Sequence, residues 1–115
     1  MESPFVNDGC AIVYLAFKSL YPEKRVVCGL DNNVYADDGT EVWGMTTDPR
    51  DGGDMVVTVS ANQNVNCMIE TLAHELAHVA VGVEHEHDEV WEQAFDALFS
   101  EYNRIGDEMF NEKER

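Results

Sequence analysis

The pentapeptide His74-Glu75-Leu76-Ala77-His78 places two imidazoles four residues apart. Residues at that spacing share a face only on a helix. The run from Glu70 to Val81 has the composition of a helix. Asn62, Asn64 and Asn66 precede it as cap candidates, and Gly82 follows it as a plausible C-terminal glycine. Leu72, Leu76, Val79 and Ala80 can then face a core while His74 and His78 face a cleft. The chain must therefore bury one side of this helix and leave the other open. Two imidazoles so placed can bind Zn²⁺, and the Glu75 carboxylate beside them is a candidate general base.

The elements around this helix set the fold class. Residues Asn7–Tyr21 carry an apolar stripe at helical spacing through Ile12, Leu15, Ala16 and Leu20, and Pro22 ends it. Arg25–Leu30 reads as a short strand. Val34–Ala36 and Glu41–Met45 flank Asp37-Asp38-Gly39-Thr40, which is a hairpin signal. Asp48–Asp54 is a loop; it is acidic but lacks the EF-hand spacing, so calcium is not favoured. Met55–Ala61 alternates, with Met55, Val57 and Val59 on one face, and is the best strand in the chain. A last helix begins near Asp88 and carries Trp91, Phe95, Leu98, Phe99 and Tyr102 as a core stripe, while residues 106–115 are expected to fray. The order predicts one α+β domain over residues 1–115: an N-terminal helix, a three- to four-stranded mostly antiparallel sheet, the motif helix and a C-terminal helix. If Met55–Ser60 is a sheet edge, a substrate peptide could add to it as a further strand; a plain core strand is the equal alternative.

A catalytic zinc takes three protein ligands and keeps one position open. All four histidines of the chain lie between positions 74 and 87. The third ligand is sought among Glu84, His85, His87 and Asp88, which Gly82 allows to turn back toward the helix. His87 is favoured, with His85 as the alternative, because His87 is four residues before Trp91 and the indole would pack against it. Cys67 is a stray possibility as a metal contact. The neighbouring carboxylates Glu70, Glu84, Glu86, Asp88, Glu89 and Glu92 are expected to be solvated, unless one orients a ligand histidine.

These residues carry a resemblance. His74-Glu75-Leu76-Ala77-His78 followed by a loop, His87 and Trp91 resembles the SprT-like zincin metallopeptidases, including short phage-encoded members, over about Met55 to Tyr102. The resemblance implies a zinc peptidase with His74, His78 and His87 as ligands and Glu75 as catalyst. It departs from the metzincin pattern, whose third histidine would fall on Glu84. It also departs from the DNA-linked repair proteases, because this chain lacks their basic DNA-binding parts.

The chemistry expected of such a site is hydrolysis of a peptide bond. Zinc lowers the pKa of a bound water from ~15.7 toward ~7, and Glu75 takes the water's proton and passes it to the leaving amine. A second oxyanion donor is usual, and Tyr102 and Asn103 are the weak candidates. The alternative is an acidic zinc-containing binding module that engages a basic protein partner without catalysis. A metal-dependent nuclease is a third reading, but it has no need of a glutamate at position 75.

Charge narrows the partners. With 23 acidic and 7 basic residues the chain carries a formal net charge of -16, which repels phosphate backbones and anionic membrane surfaces. A protein or peptide substrate is expected, and nucleic acid and membrane are not. Cys10, Cys28 and Cys67 are odd in number and form no C-x-x-C pair, which fits free thiols in a reducing compartment. Met1 to Asp8 has no basic residue, and the apolar run that follows is short and lacks a cleavage site. A cytoplasmic setting without signal peptide or membrane span is therefore expected.

Overall fold

The computed structural model describes residues 8–48, 53–82, 85 and 87–113. Helix α1 spans Asp8–Leu20, strand β1 Val26–Asp31, β2 Val34–Tyr35, β3 Glu41–Val42, β4 Gly44–Thr47 and β5 Met55–Ser60. Helix α2 spans Val65–Val81 and α3 Glu89–Lys113. The α+β class and the order of elements follow the sequence reading.

The strands form two units. In one, β5 lies between β1 and β4, parallel to β1 and antiparallel to β4. In the other, β2 and β3 form the antiparallel hairpin expected at Asp37–Thr40, and Gly39 supplies the positive φ of 87° that its turn requires. The strand with the cleanest alternation is thus central, and β1 and β4 are the edges. Substrate addition to Met55–Ser60 is thereby ruled out, because both sides of β5 are already hydrogen-bonded. The reason is tertiary: Val57 and Val59 alternate inward to full burial, as an edge strand's residues also could, and only the pairing distinguishes the two.

Helix α2 lies on one face of this sheet, against β4 and β5, and packs in turn against α1 and α3. Cys10, Val13, Ala16 and Phe17 of α1 meet Met68, Leu72, Leu76 and Val79 of α2 and Trp91, Ala94 and Leu98 of α3, over Cys28, Val57 and Val59. Fully burying the Val, Leu, Phe and Met side chains among them contributes roughly 1.5–3 kcal/mol each. On the opposite sheet face the paired Val27 and Val56 are exposed. The C-terminal end of α1 is fastened to the middle of α3 by Ser19, whose hydroxyl donates to Glu101, which in turn pairs with Arg104. Helix α3 continues through Gly106 to Lys113. Among the described residues, no helix is long and apolar enough to cross a membrane.

Candidate metal centre

Helix α2 carries the first two histidines, and its ends are well determined. The Asn64 side chain accepts from the Cys67 amide at 2.9 Å, a cap worth about 1 kcal/mol. At the other end Gly82 adopts φ 100°, and its N–H reaches the His78 carbonyl at 2.8 Å. Leu72, Leu76 and Val79 enter the core, so His74 and His78 stand half-buried on the open side.

The chain then turns back. His87 has φ 59°, the only positive φ outside glycine among the described residues. A histidine held in the left-handed region costs on the order of 1–2 kcal/mol, which the surrounding contacts must offset. Asp88 anchors the turn from both oxygens. Its Oδ1 accepts from the Trp91 amide at 2.9 Å and caps α3, while Oδ2 lies 2.7 Å from His85 Nδ1. The carboxyl of Asp88 is accordingly held below its usual range, first by His85 and then by the Trp91 amide.

These turns bring three imidazoles together. One ligand nitrogen from each of His74, His78 and His87 lies within 4.8 Å of the others, and the His74 and His87 Nε2 atoms are 2.9 Å apart. Two Zn–N bonds of about 2.05 Å at a tetrahedral angle separate their nitrogens by roughly 3.3 Å, a value the observed spacings bracket. His78 Nδ1 lies 3.1 Å from the His85 carbonyl oxygen, so Nδ1 carries the proton and Nε2 is left as the ligand atom. Burial, followed by the neighbouring His78 and His87, pushes His74 down to about 4, so it is neutral and able to ligate at neutral pH. The donor set fits zinc: three imidazole nitrogens, with no lysine or arginine among them.

His85, the alternative ligand, does not join the cluster. Its ring turns to Asp88, and its backbone carbonyl orients His78. Among the described residues, the partner of the His78 ring is thus a carbonyl of the turn. Glu84 and Glu86 lie outside the described residues. Cys67 is exposed and is not part of the cluster. Trp91 packs as expected, with ring centroids 4.7 Å from His87 and 4.9 Å from His74, and its indole N–H donates to the His74 carbonyl at 3.3 Å.

Glu75 is 9% exposed, and its Oε2 sits 3.8 Å from His74 Nε2. The other oxygen, Oε1, accepts from the Thr46 hydroxyl at 2.9 Å. Burial raises the carboxyl above its ordinary value, and the Thr46 bond opposes that rise. Thr46 lies on β4, and sequence reasoning missed it, because nothing local links two residues 29 positions apart. One signal was present: Gly44, a glycine inside a strand, marks a close backbone approach. A Cβ at Gly44 would stand 2.6 Å from Thr71 Cγ2 and 3.2 Å from Glu75 Cγ.

Beside Glu75 a cleft of about 630 Å³ opens between β4 and α2, lined by Trp43, Gly44, Gln63, Asn64, Cys67, Glu70, Thr71 and His74. Tyr102 and Asn103, the candidates for a second oxyanion donor, do not line it; Tyr102 packs against Phe99 on α3. Among protein-family models, curated proteins and solved structures, nothing matches this chain.

Proposed function

We propose that this protein is a zinc-dependent peptidase of the kind its motif resembles. The observation that carries the reading is the convergence of His74, His78 and His87 beside a buried, singly hydrogen-bonded glutamate at the mouth of a cleft. Three imidazoles alone would serve many metal proteins. A carboxylate whose second oxygen faces the same point is what hydrolysis adds.

His74, His78 and His87 would hold the ion, with the turn at His85 and the Trp91 ring fixing their orientation. Zinc at that position supplies a Lewis acid that acidifies water and polarises a carbonyl. Glu75 Oε2 accepts the proton of the attacking water and returns it to the leaving amine. Its raised pKa suits both steps better than that of an exposed carboxylate. Thr46 holds Oε1, so the carboxylate does not rotate away from the reacting atoms. Strand β4 is a sheet edge, and Trp43 and Gly44 at its start line the cleft. An extended substrate backbone can therefore pair along β4, next to Glu75.

The test is Glu75→Gln. Purified wild-type protein is expected to carry about one zinc and to cleave an unfolded protein substrate. The variant is expected to keep the zinc and to lose at least about 10²-fold in kcat. Hydrolysis that survives the substitution, or protein that takes up no zinc, would overturn the proposal.

A further inference from the structure

The cleft extends beyond the reacting groups, and its far wall has a chemistry of its own. Cys67, Glu70, Thr71 and His74 are spaced i, i+3, i+4 and i+7, so they form one stripe on α2 that runs from the metal centre toward the helix N-terminus. Glu70 lies about one helical turn, roughly 6 Å of rise, from His74 along that stripe. Trp43, 58% exposed on the approach to β4, lines the same cleft. Among the described residues, no cation pairs with the Glu70 carboxylate. The chain has no lysine or arginine between Arg50 and Arg104, so the whole site-bearing half is free of fixed positive charge.

We infer that this cleft is a specificity pocket for a lysine or arginine side chain of the polypeptide substrate, next to the scissile bond. The inference rests on the peptidase reading for its location but not for its chemistry. A residue held at His74 and Glu75 would send its side chain along the α2 stripe. One helical turn matches the reach of a four-carbon stem with a charged head. The stem lies against the Trp43 indole, whose face attracts a cation, and the head meets Glu70. The -16 field of the protein adds long-range attraction for such a substrate and repels acidic ones. The dipole of α2 acts in the other direction, but its first turn is already capped by Asn64 and its influence fades within one turn.

The experiment separates this pocket from catalysis. The full chain carrying Glu75→Gln, loaded with zinc, is titrated calorimetrically with blocked alanine hexapeptides bearing one lysine, one norleucine or one glutamate. Lysine and norleucine share a stem and differ in the charged head. The lysine peptide is expected to bind about tenfold more tightly than the norleucine one, as a partly exposed ion pair with a cation–π contact would give. The glutamate peptide is expected to bind weakest. Glu70→Gln should abolish the difference between lysine and norleucine, and Trp43→Ala should weaken both. Equal affinity for lysine and norleucine, preference for glutamate, or a lysine preference that survives Glu70→Gln would each overturn the inference. Wild-type protein that binds lysine selectively yet cleaves nothing would refute the peptidase and leave the pocket standing. Cleavage without lysine preference would do the reverse.

Discussion

Gly44→Ala tests the contact on which the site depends. The added Cβ would stand 2.6 Å from Thr71 Cγ2. Carbon atoms of this kind rest at about 3.5–4.0 Å, so roughly 1 Å must be found. Little can give way. Thr71 is β-branched and stiff about χ1, and its hydroxyl bonds Gln63 at 3.3 Å. Strand β4 is in register with β5 from Gly44↔Val59 to Thr47↔Val56, so retreat would strain the ladder. Gly44 has no positive φ, and backbone strain therefore contributes nothing. Overpacking of this kind costs about 1–3 kcal/mol. At this chain length that corresponds to a fall in Tm of roughly 4–12 °C. The assay is urea and thermal unfolding of Gly44→Ala, Thr71→Ser and the double variant. Thr71→Ser removes the offending methyl and keeps the hydroxyl, so in that background Gly44→Ala should lose at least half its cost. A Gly44→Ala variant within about 0.5 kcal/mol of wild type, or one costing the same in both backgrounds, refutes the steric reasoning.

Two further outcomes follow from the same geometry. Thr46→Val removes the Thr46 hydrogen bond to Glu75 Oε1 and should lower kcat about tenfold or more while zinc content and KM stay unchanged, with Thr46→Ser restoring it; a change confined to KM would count against a positioning role. Burial pushes the Cys28 thiol up to about 12, whereas an unfolded thiol ionises near ~8.5, so the stability from keeping it neutral is complete below that value and is lost as pH rises toward 12. Alkaline unfolding should accordingly shift upward in Cys28→Ala, and at pH 8 a thiol reagent should label exposed Cys67 quickly while buried Cys10 and Cys28 react only on unfolding.

The pair His74 and His78 was legible in the chain because helical spacing is a local property: 3.6 residues per turn puts i and i+4 together in any helix. The capping asparagine, Gly82 and the apolar stripe of α3 are equally local, and each lies where the residues implied. His87 was legible only as a candidate. Its selection over His85 depends on two backbone values, φ 100° at Gly82 and φ 59° at His87, and on Asp88 drawing the His85 ring aside. The rank of the strands was not legible, since alternation reports which face is buried and is silent about which edge is paired. The sequence by itself therefore determined the helix that carries His74, Glu75 and His78, and the α+β class. Tertiary structure alone decided that β5 is central with β1 and β4 at the edges, that Thr46 reaches Glu75, and that Trp43 and Glu70 line one cleft. Thr46 and Glu75 are 29 positions apart, and their approach is set by how the sheet and helices pack rather than by any local pattern.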